Sequence, residues 1–366
     1  MTARRLLVPL LLASVVSLVA APASVLAKKP PPQEADHKID ATTRNKVIDA
    51  ALQALTQKYV FPDVARKMAD HVRERQRAGA YDRITSARQL AQALTDDLRS
   101  ISQDKHLGVH LSEHTPPAGK ATPAQEEAQR RFVARVNYGF DKVERLEGNI
   151  GYLKLRGFVP AALGGETAAA AMTLLASTEA LIIDLRENGG GEPEMVALIT
   201  SYLFGDEPVH LNDIYDRPTD ATTQYWTRSY VPGRRFGAKK PVYVLTSSHT
   251  FSAAEEFTYN LKNLERATIV GETTGGGAHP GEHVALADRF AMFVPTGRAI
   301  NPITKTNWER TGVAPDVQAP AERAFDVAYL GALEQVVATE KDETLKALLT
   351  QLLAERRRAA GTAGNK

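Results

Sequence analysis

The chain has 366 residues, 43% of them hydrophobic and 24% charged, with 45 basic and 43 acidic side chains and no cysteine. That length and apolar content allow one sizeable core plus a smaller unit, and they exclude a disordered chain. The missing cysteine removes disulfides, thiolate metal sites, iron–sulfur ligation and cysteine nucleophiles from within the chain.

Residues 1–27 open with Arg4 and Arg5, run apolar from Leu6 to Ala21, and offer two small-residue ends, Ala21-Pro22-Ala23 and Val25-Leu26-Ala27. This is the pattern of an export signal, with cleavage expected after Ala27. The alternative is a retained anchor, for which the apolar run is short. Without the segment, 43 basic and 43 acidic residues remain. Net charge therefore gives no argument for a nucleic-acid partner.

Residues 28–40 read as a flexible, proline-bearing leader. From there, Val47, Leu52, Leu55 and Tyr59, then Val64, Met68 and Val72, then Leu90, Leu94 and Leu98 recur at helical spacing. They predict a small helical domain over 41–115 that ends in the segment around His106. Residues 116–130 read as a linker running into a short helix. An α/β unit is expected over 131–330, followed by a C-terminal helix and frayed tail over 331–366. Within the α/β unit, strands are expected on both sides of Gly148-Asn149, at 180–185, at 241–248 and in ATIVGE. Helices are expected in AAAAMTLLAS, EPEMVALITSYLF and FSAAEEFTYNLKNL. The alternation predicts a crossover sheet flanked by helices.

Four stretches carry candidate chemistry. In TSSHTFSAAEEF, Ser252 stands at a strand-to-helix junction with Glu255 three residues on. That is a capping-box pattern, and it is equally the place for a nucleophile beside first-turn amides that hold negative charge. Asn188-Gly189-Gly190-Gly191 leaves the other buried strand, so it is either a tight turn or a backbone donor loop. A second run, Gly275-Gly276-Gly277, lacks the Lys and Ser/Thr of a phosphate loop.

A serine nucleophile needs a base. His106, His110 and His114 are four apart, a metal spacing on a helix, but Gly108, Val109 and Leu111 favour a strand that spreads them out. His249 and His279 are the other candidates near the cleft. Glu309, in NWERTGVAPDV, either orients a histidine or makes a structural salt bridge.

Together, TSSHTFSAAEEFTYNLKNLERATIVGETTGGGAHP and DLRENGGGEPEMVALITSYLF resemble the tail-specific, carboxyl-terminal processing family of serine peptidases. SQDKHLGVHL and NPITKTNWERTGVAPDV resemble its branch with the tricorn core protease and the interphotoreceptor retinoid-binding protein repeats. The resemblance runs from about residue 41 to 330. It implies a ClpP/crotonase-like crossover α/β core with a small N-terminal helical domain, and no stretch resembles the PDZ domain of many members. It implies Ser252 as nucleophile, His106 as general base, Glu309 as the carboxylate that orients it, and the backbone amides of Gly190 and Ala253 as oxyanion donors. No metal or other cofactor is implied.

The processing branch has a lysine about two dozen residues after its serine, whereas GETTGGGAHP contains none. Glu187 and Arg310 stand where small residues are common and would narrow the cleft. The expected function is an exported hydrolase of polypeptides, in the periplasm or secreted, with no stable membrane span after signal removal. The rival expectation is a binder of apolar ligands, with Phe251, Phe257 and Tyr259 lining its pocket.

Overall fold

The computed structural model describes residues 35–112 and 122–363. The expected signal segment, most of the leader, the first part of the expected linker, His114 and the last three residues lie outside these.

Helix α1 (Ala41–Lys58) starts where Asp40, in extended backbone, accepts a hydrogen bond from the Thr43 amide at 2.7 Å. Proline at the first turn opens α2 (Pro62–Arg77), and Ser86 caps α3 (Ala87–Ser102). The apolar stripes of all three helices are buried. Gln103 takes a left-handed φ of 57° and ends α3. The turn aims Asp104-Lys105-His106 into the molecule before β1 (Gly108–Leu111) begins. Helix α4 (Pro123–Arg135) carries a full Thr122/Gln125 capping box, and it occupies much of the expected linker.

The α/β part runs β2 (Phe140–Leu146), β3 (Ile150–Leu155), α5 (Ala161–Leu175), β4 (Ala180–Asp184), α6 (Pro193–Ser201), β5 (His210–Asp216), β6 (Ala221–Trp226), β7 (Val242–Thr246), α7 (Ala253–Asn263) and β8 (Thr268–Gly271). It continues with β9 (Gly281–Ala285), β10 (Phe290–Pro295), β11 (Gly297–Ile300), β12 (Val317–Gln318), α8 (Ala324–Thr339) and α9 (Glu343–Ala363).

Six strands form the central sheet in the order β12-β8-β7-β4-β3-β2. Every pair is parallel except β2 with β3, which is the hairpin at Gly148-Asn149. ALIID of β4 and VYVLT of β7 are buried throughout, as central parallel strands covered on both faces must be. One face packs on α5, α6 and α7 and the other on α8 and α9.

Two antiparallel sheets complete the fold, β1-β10-β9 and β11-β5-β6. The first has a consequence for the helical region. Phe290, Met292 and Val294 of β10 alternate into one core with α1, α2 and α3. The N-terminal helices therefore share their core with a strand almost two hundred residues downstream. Among the described residues, no helix is long and apolar enough to cross a membrane.

Candidate active site

Strands β4 and β7 are parallel neighbours, with Asp184 opposite Leu245. The loops that leave their carboxyl ends are therefore adjacent, and ligands collect at such ends. The first loop holds Asn188 to Gly191; the second holds Ser247 to Ser252. They are tied together: the Phe251 amide donates to Asn188 O, Ser247 Oγ to Arg186 O, and Thr250 Oγ1 to Leu185 O. This brings Gly190 flush against Ser252. A Cβ built on Gly190 would lie 2.7 Å from Ser252 Cβ and 3.1 Å from the Ala253 nitrogen, so only glycine fits there.

Ser252 has φ 56° and ψ −123°, outside the regions a non-glycine residue normally occupies. Such a conformation costs roughly 1–3 kcal/mol and persists only when the surroundings enforce it. Glu255 supplies much of that enforcement. Its buried carboxylate accepts from the Ser252 amide at 2.9 Å, the Gly276 and Gly277 amides at 2.6 and 2.9 Å, and Thr274 Oγ1 at 2.5 Å. Burial pushes its pKa up, against the pull of these donors. The sequence pattern suggested only a helix cap at this glutamate. The structure gives it a second task, fastening the Ser252 turn to the second glycine run.

Of the two expected donor amides, Ala253 N–H, at the first residue of α7, has no partner among the described residues. Gly190 N–H is directed to Asn188 Oδ1 at 2.8 Å. The peptide before Gly190 must therefore turn before that amide can face an oxyanion, and its positive φ of 111° gives glycine the freedom to do so.

His106 lies over the Phe251 ring, with centroids 4.5 Å apart, and 5.8 Å from that of Phe293. A Cβ on Gly277 would come within 2.7 Å of its Cε1. Its position is set from both ends. Arg99 Nε, at the end of α3, binds Leu107 O, and the Lys105 ammonium binds Gly275 O on the second glycine run. Burial lowers the imidazole pKa to about 4, with Asp104 acting in the opposite sense. The ring is therefore neutral at physiological pH.

Glu309 faces elsewhere. Its Oε2 accepts from the Ala278 amide at 2.6 Å and lies 3.5 Å from His279 Nδ1. His279 Nδ1 is bound to Asp104 Oδ2 at 2.7 Å, and Tyr59 OH donates to the same oxygen. Asp104 Oδ1 accepts the His106 amide at 3.0 Å. Burial, and then the Asp104 charge, raises Glu309 to about 7. Burial also opposes ionisation of Asp104, but the bond to His279 overcomes it and the Asp104 pKa is lowered. Asp104, His279 and Glu309 present atoms within 4.8 Å of one another, the group of three able to hold a metal among the described residues. His279 Nδ1, both Asp104 oxygens and Glu309 Oε2 are already engaged with each other, Tyr59 and the backbone. Two buried atoms here have no hydrogen bond, Glu309 Oε1 and His106 Nδ1.

The structure thus brings Gly190 and Ala253 against Ser252 and lays His106 on the adjacent Phe251 ring, and no hydrogen bond joins His106 to Ser252 among the described residues. It sets Glu309 in an adjoining buried network with His279 and Asp104. Asp104 escaped sequence reasoning, although it lies two residues before His106; nothing in the pattern marked it as a bonded partner of His279. His249 is exposed, and His110 packs edge-on to His283 at 5.2 Å. The two departures each have partners. Glu187 pairs with Lys154 and Arg156 at 2.8 and 2.7 Å, and Arg310 Nη2 donates to Ser102 O, bracing the end of α3. Phe257 is buried against Phe158, and Tyr259 packs on Trp308. Together with Phe251 on His106, the three rings face different neighbours.

Residues 149–319 match the description of peptidase family S41, and residues 41–146 match the N-terminal domain of peptidase S41 in eukaryotic IRBP. The chain is 29% identical over 197 residues to the chloroplastic carboxyl-terminal-processing peptidase 2 of Arabidopsis thaliana, covering 52% of this chain and 36% of that protein. It is 35% identical over 104 residues to the tail-specific protease of Haemophilus influenzae, covering 27% of this chain and 13% of that protein. The chain thus spans little more than a third of the first relative and far less of the second. Its fold is similar to that of the tricorn protease, with a TM-score of 0.52 at 14% identity, covering 86% of this chain and 37% of that one. The two family matches adjoin and together take in both the helical region and the central sheet, and on that ground the chain belongs to peptidase family S41.

Proposed function

We propose that this protein is an exported serine peptidase that hydrolyses polypeptides through an acyl-enzyme on Ser252. The observation that carries the proposal is Ser252 itself: a serine in a strained turn, at the start of a helix, flush with a glycine loop, with a neutral, half-buried histidine on the adjacent Phe251 ring. Strain of this kind collects at functional sites. A helix cap needs none of it.

In the proposed reaction, His106 takes the proton of Ser252 as the oxygen attacks a peptide carbonyl. A neutral imidazole has the lone pair for this. The amides of Ala253 and, once turned, Gly190 hold the oxyanion. His106 then protonates the leaving amine, and water repeats the steps on the ester. Glu309 stabilises the imidazolium. The support for its role is the buried network it shares with His279 and Asp104, since Asp104 Oδ1 also accepts the His106 amide at 3.0 Å.

The finer parts of the fold reading belong to the same proposal: a ClpP/crotonase-like crossover core, without a PDZ domain among residues 41–330. So do the removal of residues 1–27 and a periplasmic or secreted location.

The test is labelling of the purified protein by a fluorophosphonate, with the modified residue located by mass spectrometry. Labelling at Ser252, lost in Ser252→Ala and suppressed in His106→Ala, is the expected result. A protein that binds apolar ligands and remains unlabelled would reject the peptidase reading.

A further inference from the structure

Beside Ser252 lies a set of acidic side chains that the proposed chemistry does not use. Glu256 is on α7, four residues after Ser252 and so about one helical turn below it on the same side. Glu192 caps α6, two residues after Gly190. Helices α6 and α7 pack together, with the hairpin β5–β6 against them. The hairpin contributes Asn212, and Tyr225, whose hydroxyl is influenced by Glu194, Glu256 and Glu192 together. Glu194 is exposed and Glu192 half-buried, so the set runs from the surface inward to Glu256, which is only 4% exposed.

The interior end of this set is unsatisfied. Glu256 Oε1 has no hydrogen-bond partner. Asn212 is fully buried beside Glu256; its amide lies close enough to favour the Glu256 carboxylate but makes no well-formed hydrogen bond, and its Oδ1 has no partner. Nor has Asn260 Nδ2, one turn further along α7. No basic group acts on Glu192 or Glu256; the charge that acts on both is the like charge of Glu194. Burial pushes Glu256 up to about 8 and Glu192 up to about 7. Buried carboxyls normally come with a positive partner, because an unpaired charge in the interior is expensive. Here the partner is missing from the chain.

We propose that Glu256, Glu192 and Glu194, with Asn212 and Tyr225, form a subsite for a lysine or arginine side chain of the substrate residue whose carbonyl Ser252 attacks. This rests on the peptidase reading and adds to it a substrate class. Position selects that residue: the acids border both the Ser252 helix and the Gly190 loop, where the attacked carbonyl sits. A guanidinium or ammonium group entering there gives Glu256 the countercharge it lacks, and its N–H groups meet the free oxygens of Glu256 and Asn212.

Two measurements test this. The first compares kcat/KM for fluorogenic peptides with Arg, Lys, Leu or Asp before the scissile bond. Arg and Lys should exceed Leu, and the Arg-to-Leu ratio should fall at least about tenfold in Glu256→Gln, which keeps the volume and removes the charge. Glu192→Gln, at a half-exposed position with less bearing on folding, should lower the ratio in the same direction. The second is calorimetric binding of agmatine to the Ser252→Ala protein, which needs no turnover. Agmatine should bind, and at least about tenfold more weakly when Glu256→Gln is added. Equal agmatine affinity in the two proteins, no agmatine binding, or a preference for Leu over Arg overturns the subsite. Absence of fluorophosphonate labelling would overturn the peptidase reading separately, and the agmatine result would still decide whether the acids receive a cation.

Discussion

Replacing Ser252 by glycine and by alanine separates the strain of the turn from its chemistry. Both variants lose the hydroxyl, and both should lose turnover. They differ in backbone freedom. At φ 56° and ψ −123° alanine keeps the steric penalty that serine bears, whereas glycine does not. Release of about 1–3 kcal/mol of strain is opposed by about 0.5–1 kcal/mol for the extra entropy that glycine loses on folding. The glycine variant should therefore be more stable than the alanine variant by about 1 kcal/mol, and at most about 2.5 kcal/mol. In a chain of this size that is about 1–3 °C in thermal midpoint. Differential scanning calorimetry or urea unfolding of the two proteins, at the same pH and salt, reads the difference directly. Both variants lack the same oxygen, so hydroxyl contacts cancel. A glycine variant equal to or less stable than the alanine variant would refute the idea that the turn stores strain, and with it the main argument for a functional serine.

Further outcomes follow from the neighbouring groups. Glu309→Gln should reduce turnover by about 10²–10⁴-fold, since the charge that stabilises the imidazolium is gone. Because burial raises Glu309 from its ordinary 4.5 to about 7, the folded protein keeps this proton longer than the unfolded chain. The group therefore subtracts stability as pH rises from about 4.5 to 7, and Glu309→Gln should gain relative to wild type over that window in urea titrations. Turnover of the wild type should rise through pH 7 as Glu309 ionises; a flat profile there would count against its role. His106→Ala should abolish turnover and fold normally, whereas His279→Ala should lose about 3–5 kcal/mol of stability because Asp104 is left as a buried charge without its partner. Gly190→Ala should lower kcat by about 10²–10³-fold, because the contact with Ser252 Cβ displaces the donor amide; near-normal kcat in a folded variant would remove Gly190 from the site.

Much of the central sheet was legible from pattern alone. ALIID and VYVLT read as buried strands because nothing polar interrupts them, and the glycine run after one and the serine turn after the other mark the carboxyl ends where sites form. The three N-terminal helices were equally plain from their stripes. The antiparallel strands β5, β6, β9, β10 and β11 were not: β6 is polar and mostly exposed, and β10 finds β1, and β11 finds β5, only across long stretches of chain. The same reason hid the company of Glu309. Its nearest ionisable neighbours, His279 and Asp104, are 30 and 205 residues away in sequence, and only the β1–β10 pairing and the two glycine runs bring them together. Glu255 shows the opposite case: its place in the sequence was noticed, but a capping pattern cannot reveal that the same carboxylate also receives two amides from residues 276 and 277.

The pairing of β1 with β10 also sets a timetable. His106 reaches the cleft only when residues 108–111 have found residues 290–293, and Phe290, Met292 and Val294 are needed to close the core over the N-terminal helices. A growing chain that has not yet delivered those residues has a serine turn at most, with His106 not yet held near it. Contacts across so long a loop form late, since the entropy of closing the loop must be met before they can contribute. On the proposed peptidase reading, hydrolytic competence would then wait for residues 290–293, and the chain would be harmless to its own unfolded length until they have paired.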